Sequence, residues 1–279
     1  EKKYLSQTID STYVSSVGSY VNQFEDMISS ITKTKKAIAV VNGTAGIQVA
    51  LRLVGVNCGD EVITQALTFI ATINAIKYLN AEPVFLDVDY DSMGLSPMAV
   101  KNFLDEFAEL RENGTFNKIT NKRIAACLPM HTFGFMSRIS EIISICNSWG
   151  IPCVEDSAEA LGSHSQGKYA GSFGSFGAFS FNGNKIITAG GGGAIVSNDS
   201  ILADKAKHLT TTAKKSHTYE YFHDEIGYNY RMPNLNAALL LAQLEQLENF
   251  IESKSNIYKE YLRYFESNLK EIKLVPIPE

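Results

Sequence analysis

Three short stretches of the chain hold residue types that do chemistry only in company. Lys185 stands between the aromatic run Phe179-Ser180-Phe181 and four consecutive glycines, Gly190 to Gly193. Burying an amine among apolar and small residues favours its neutral form, a nucleophile toward an aldehyde; a surface lysine beside a flexible turn is the plainer alternative. Asp156 closes the apolar run Val154-Glu155-Asp156, at a strand end of the kind where open α/β sheets place ligands. Its plainer reading is the N-cap of a short helix that follows. Asn42-Gly43-Thr44-Ala45 lies where a strand passes into a helix. Free backbone N–H groups and the positive end of the helix dipole meet there, and Gly43 admits an anion closely, so the segment is a candidate phosphate cup. Thr44 otherwise only caps the helix. The stretch matches neither GxGxxG nor GxxxxGK[ST], which counts against a nucleotide cofactor.

The elements that must position these residues alternate short β-branched runs with helix-periodic segments, the pattern of a mainly parallel sheet flanked by helices. Strands are expected at 37–41, 61–64, 83–88, 124–128, 152–155, 178–181 and 194–197. Helices are expected over 44–54, about 70–79, 97 to about 110, 139–149 and about 201–211. Ser96-Pro97 opens the third of these, Glu112-Asn113-Gly114 breaks it, and Gly150 stops the fourth. Lys214 to Asp224 reads as a long exposed loop. Pro233-Asn234 begins a final helical region with Leu240, Leu244 and Leu247 on one stripe, and Val275 to Glu279 reads as the start of a strand.

At 279 residues, 45% hydrophobic and 20% charged, the chain can bury a large core. A net charge of -5 offers no general attraction for nucleic acid or an anionic membrane, so any phosphate recognition must be local. No run reaches the roughly 18–20 apolar residues of a membrane span. Cys58, Cys127, Cys146 and Cys153 form no CxxC pair and sit in apolar surroundings, which points to buried thiols in a reducing cytoplasm.

A phosphate cup, a strand-end carboxylate and an activated lysine are together what pyridoxal 5′-phosphate requires. The cup anchors it, Asp156 keeps the pyridine nitrogen protonated, and Lys185 holds the aldehyde as a Schiff base.

In order and context the chain resembles the sugar aminotransferases of the DegT family. The likeness runs through NGTAGIQVAL, GDEVITQALTFIATINAI, MHTFG, VEDSAEALGS, GSFGSFGAFSFNGNK, GGGGAIVS and GYNYRMPNLNAALLLAQL. It implies an α/β fold, the large domain of a fold-type I pyridoxal-phosphate transferase, spanning 1–250 with the N-terminal segment. Residues 251–279 would begin a small C-terminal domain that is otherwise largely absent from this chain. The resemblance implies that Thr44, the Ala45 amide and the Ser180 hydroxyl bind the cofactor phosphate beside Gly43. Phe69 falls where an aromatic ring covers the pyridine, with plain core packing as its alternative. Asp156 matches the pyridinium partner, and Glu159 a residue at the ring hydroxyl. Asn229 matches an asparagine that reaches a partner's phosphate, which implies a homodimer with shared sites. His131 matches a histidine beside the substrate, although a lone histidine is more often structural. Tyr230 and Arg231 either bind substrate or pack the interface.

The implied reaction is amino transfer from glutamate, with Lys185 as both anchor and acid/base. The stretches SFNGNKIIT, HLTTTAK and HDEIGYNYRMPNLNAAL resemble enzymes that make 4-amino-4,6-dideoxy-N-acetylhexosamines of legionaminic-acid or bacillosamine type. That implies a UDP-linked 4-keto-6-deoxy-N-acetylhexosamine as acceptor; GDP-4-keto-6-deoxymannose is the alternative. A noncatalytic cofactor-binding regulator on the same fold is the remaining alternative. In the family's dehydratases a histidine replaces the lysine that is present here as Lys185.

Overall fold

The computed structural model describes residues 1–269, 271–275 and 277. Its centre is a sheet of β1 (Lys36–Val40), β2 (Glu61–Gln65), β3 (Glu82–Leu86), β4 (Ile124–Leu128), β5 (Val154–Asp156), β6 (Phe176–Ser180) and β7 (Gly193–Ser197). One ladder has the order β1-β7-β6-β5 and a second the order β3-β2-β4. Parallel bridges at Cys127–Cys153 and Met130–Asp156 join β4 to β5 and make the two ladders continuous. Only β7 runs against the rest. The mainly parallel sheet read from the strand–helix alternation is therefore present. Its inner strands β2, β4 and β7 are buried along their whole length, as strands covered on both faces must be.

Strand parity divides the core. Ile38 and Val40 of β1, Ala178 of β6 and Ile195 of β7 pack toward α3 (Gly43–Leu53) and α7 (Ser200–Thr210). Their neighbours Ala37, Ala39, Phe179, Ala194 and Val196 pack toward α2 (Ser19–Thr32) and α8 (Asn234–Leu244). The far half of the sheet, with Ile63 and Cys127, is covered by α5 (Pro97–Phe107) and α6 (Ile139–Ser148). The first turn of α4 (Ile70–Lys77) follows β2 at the sheet's carboxyl edge. No helix of the described residues is long and apolar enough to cross a membrane.

Several expectations needed correction. The N-terminal segment is built of α1 (Lys2–Asp10) and α2, which the strand–helix pattern did not register. Helix α5 ends at Phe107, and Ala108–Arg111 pairs with Gly114–Asn117 as a hairpin across Glu112-Asn113. Asn113-Gly114 was thus a hairpin signal and not merely a helix breaker. Chain 214–224 is exposed as expected, with a two-residue pairing of Lys214–Lys215 with Phe222–His223. Cys58 is exposed while Cys127, Cys146 and Cys153 are buried, and all are free thiols. Helix α9 (Leu247–Asn268) runs through residue 250. Of the strand expected over 275–279, Val275 and Ile277 are irregular and the other three residues lie outside the described set.

Candidate active site

The carboxyl edge of the sheet gathers the residues singled out by type. Val41-Asn42 leaves β1, and Asn42 caps α3 with its Oδ1, which accepts the Ala45 N–H at 2.8 Å. The cap is therefore Asn42 and not Thr44. The Ala45 amide, expected to bind phosphate, is held by that cap in this state. Among the described residues the Thr44 and Ser180 hydroxyls have no hydrogen-bond partner. Gly43 brings the start of α3 against the end of β6: a Cβ there would lie 2.9 Å from Ser180 Cβ and 3.3 Å from the Phe179 carbonyl oxygen. Gly193 is equally confined, since its Cβ would lie 2.5 Å from the Asn42 carbonyl carbon and 2.7 Å from the Gly43 nitrogen. The helix start, the end of β6 and the start of β7 touch backbone to backbone, which side chains at these glycines would prevent.

Asp156 ends β5 in the same edge and is 3% exposed. Its Oδ2 accepts from the Thr72 hydroxyl at 2.6 Å and its Oδ1 from the Ala158 N–H at 3.1 Å. No helix follows, so the Ala158 contact closes a turn and the N-cap alternative falls. Burial pushes the Asp156 carboxyl above the usual aspartate value; the Thr72 and Ala158 hydrogen bonds and the charge of Lys185 oppose that rise.

Lys185 follows β6 in the turn closed by its own N–H donating to the Asn182 carbonyl at 3.0 Å. Its side chain is only 11% exposed, which removes the surface-lysine alternative. Nζ lies 3.1 Å from Glu159 Oε1 and 5.9 Å from the centroid of the Phe69 ring. That carboxylate is the hydrogen-bond partner of the lysine's Nζ. The second Glu159 oxygen accepts the Phe133 N–H at 2.9 Å. Phe69 is 58% exposed, so core packing does not account for it.

Other expected residues sit differently. His131 is fully buried, with Nε2 3.0 Å from Glu155 Oε2 and Nδ1 accepting from the Ser137 N–H at 3.3 Å. Both ring nitrogens are engaged within the chain, so the side chain ties the end of β4 to Glu155 and Ser137. Tyr230 stacks on Tyr228 at 4.8 Å and donates its hydroxyl to Gln48 Oε1 at 3.0 Å, inside the packing of α3. Asn229 is exposed, with Oδ1 accepting from Arg231 at 3.3 Å. Segment 228–231 runs along β1, where the Val41 N–H donates to the Tyr230 carbonyl at 2.9 Å. Residue-type reasoning missed Thr72, whose only sequence signal is its place four residues after Thr68, and Glu155, hidden by its neighbour Asp156.

The donor set fits pyridoxal 5′-phosphate. Two unengaged hydroxyls stand at a glycine cradle, a buried carboxylate ends β5 at the same edge, and a confined lysine lies 5.9 Å from the centroid of a half-exposed aromatic ring. The two buried side-chain polar atoms without a partner among the described residues, Ser157 Oγ and Arg231 Nε, belong to segments bordering this same edge. A cavity of about 930 Å³ lined by Tyr4, Tyr20 and Asn234 lies on the N-terminal side and shares none of these residues.

A model of the DegT/DnrJ/EryC1/StrS aminotransferase family matches residues 1–278. The chain belongs to that family. EpsN of Bacillus subtilis (strain 168), provisionally named a pyridoxal phosphate-dependent aminotransferase, is 41% identical over 94% of this chain and 64% of its own length. A GDP-perosamine synthase of Escherichia coli O157:H7 is 40% identical over 98% of this chain and 71% of its own. The chain thus spans less than two thirds of the Bacillus relative. A family aminotransferase from Brucella abortus superposes with a TM-score of 0.86 at 27% identity, over 99% of this chain and 70% of that one. Family membership makes pyridoxal 5′-phosphate the cofactor and the fold that of a fold-type I pyridoxal-phosphate transferase.

Proposed function

We propose that this chain is the catalytic core of an aminotransferase that moves an amino group from glutamate to C4 of a nucleotide-linked 4-keto-6-deoxysugar. The observation that carries the reading is Lys185, confined beside Phe69 and Glu159 at one edge with buried Asp156. Pyridoxal 5′-phosphate supplies an exchangeable aldehyde and a ring that takes up electrons when its nitrogen is protonated. The Thr44 and Ser180 hydroxyls bind its phosphate, and Asp156 holds the proton at the ring nitrogen. Phe69 would hold the ring by stacking, and Glu159 would serve its hydroxyl. Lys185 Nζ takes the proton from the α-carbon of glutamate and runs the same transfer in reverse for the sugar. Arg231 suits the substrate's phosphate or carboxylate. Asn229, exposed on the single chain, serves a second copy in a homodimer. Residues 1–250 act as the cofactor domain and 251–279 begin a smaller one, in a cytoplasmic setting.

Two acceptors have separate support. Motif resemblance favours a UDP-linked 4-keto-6-deoxy-N-acetylhexosamine. Three relatives named GDP-perosamine synthase, at 40%, 37% and 34% identity, favour GDP-4-keto-6-deoxymannose. Borohydride treatment of the loaded full-length protein is expected to fix a pyridoxyl group on Lys185, read by peptide mass, and none in Lys185→Ala. A panel of UDP-, GDP- and dTDP-linked 4-keto sugars with glutamate, followed by 2-oxoglutarate release, then names the acceptor. Cofactor fixed without turnover of any sugar would sink the substrate assignment.

A further inference from the structure

Among the buried α-helical threonines of the described residues, Thr72 behaves unlike the others. Thr8, Thr32 and Thr210 each donate their hydroxyl to the carbonyl four residues earlier, all at 2.8 Å, the usual way for a helix to satisfy a buried hydroxyl. Thr72, equally buried in the first turn of α4, instead donates to Asp156 Oδ2 at 2.6 Å, 84 residues away in the chain. One turn earlier, the half-buried Thr68 directs its own hydroxyl at Thr72 Oγ1, 2.8 Å away.

We propose that Thr72 is a positioning residue: its hydroxyl, supplied by Thr68, orients Asp156 and holds that carboxylate ionised beneath the cofactor's ring nitrogen. This rests on the reading of Asp156 as the ring-nitrogen partner.

The direction of the chain follows from the proton count. An ionised carboxylate only accepts, so the single Thr72 proton goes to Oδ2 and the Thr72 lone pair takes the Thr68 proton. An acid proton on Oδ2 would reverse the chain and turn Thr68 toward Met130 Sδ, 3.1 Å away and a weak acceptor, or the Phe69 carbonyl at a long 3.4 Å. Neutral Asp156 is therefore the disfavoured partner of this pair of hydroxyls. Their bonds oppose the burial that pushes the Asp156 carboxyl upward. The other groups facing Asp156 are Lys185 from the turn after β6 and His131 from the end of β4. Glu159 lies in the turn after β5, and Glu155 points to the opposite face. The Thr72 N–H also donates to the Phe69 carbonyl at 3.1 Å. One helical turn therefore carries both the residue that covers the ring and the residue that sets its acid.

The test compares Thr72→Val, which keeps the shape and loses the hydroxyl, with Thr72→Ser, which restores it. In the full-length protein stripped of cofactor, carboxyl ¹³C resonances are titrated. The Asp156 midpoint is expected to move upward in Thr72→Val and to return in Thr72→Ser. With cofactor added, Thr72→Val is expected to bind it about tenfold more weakly, and the acidic limb of its kcat profile to move to higher pH. An unmoved midpoint in Thr72→Val overturns the proposal. So does equal loss of melting temperature in both variants with no change in midpoint, which would mark Thr72 as packing only. If the wild type takes up no cofactor at Lys185, the site reading falls, and the purpose assigned to Thr72 falls with it. If the wild type is labelled and only Thr72→Val is indistinguishable from it, the Thr72 inference alone fails.

Discussion

Glu155 and Asp156 are adjacent on β5, equally buried, and face opposite sides of the sheet. Glu155 accepts from the Gly171 N–H at 2.9 Å, the Phe173 N–H at 2.8 Å and the Gly174 N–H at 2.7 Å, and from His131 Nε2 at 3.0 Å. The Ser137 N–H donates to His131 Nδ1, so the proton between the ring and Glu155 resides on Nε2. A carboxylate has about four lone-pair sites, and here all are filled. Asp156 fills two, with Thr72 and Ala158, and keeps capacity for a third partner. The same ionic group is a fastener on one face and a reagent on the other. What separates them is how many donors the fold brings to each, not how deeply each is buried.

The comparison is broken most decisively by exchanging the losses. Asp156→Asn is expected to lower amino transfer by about 10²–10⁴-fold, as for a positioned proton-holding group, with thermal unfolding little changed. If Asp156→Asn retained turnover, Asp156 would be another fastener. Glu155→Gln is expected to cost about 3 kcal/mol, because an NH₂ replaces one of two oxygens that each face two hydrogen-bond donors. Denaturant titration reads that loss, and turnover per folded molecule should stay within a few-fold of wild type.

Smaller effects sharpen the picture. Gly43→Ala places a methyl 2.9 Å from Ser180 Cβ, so cofactor affinity is expected to fall about tenfold with the fold retained. Phe69→Ala should change stability by less than about 0.5 kcal/mol, since its ring is half exposed, while weakening the bound cofactor by about 1 kcal/mol. The smallest effect concerns pH. The folded value of Asp156 is raised, so the neutral acid favours the folded state and that contribution is present below the unfolded aspartate value. It is lost as pH rises through the folded value, where the buried carboxylate ionises. Cofactor-free Asp156→Asn should therefore be slightly more stable than wild type near pH 7, measured by melting, and the gain should vanish in acid. A loss near pH 7 would contradict the assigned direction.

Lys185, Asp156, Gly43 and Thr44 were legible because each stands at a junction written in local pattern: strand into helix, apolar run into carboxylate, aromatics into glycines. Strand order along the chain and most helix limits were legible for the same reason, since periodicity is a short-range property. For His131 and Tyr230 the residue types permit both roles, and the tertiary structure adds their partners within the chain: Ser137 and Glu155 for the one, Gln48 for the other. The hairpin at Asn113-Gly114 was misread because a helix breaker and a tight turn share their residues.

The sequence by itself thus determined which residues stand at the sheet's carboxyl edge and what chemistry their types allow, because those properties are local. The tertiary structure decided which of two neighbouring acids is saturated, which threonine abandons its own helix, and which hydroxyls have no partner. Those outcomes depend on strand parity and on donors as far as 84 residues away, and only the assembled sheet brings them within hydrogen-bonding reach.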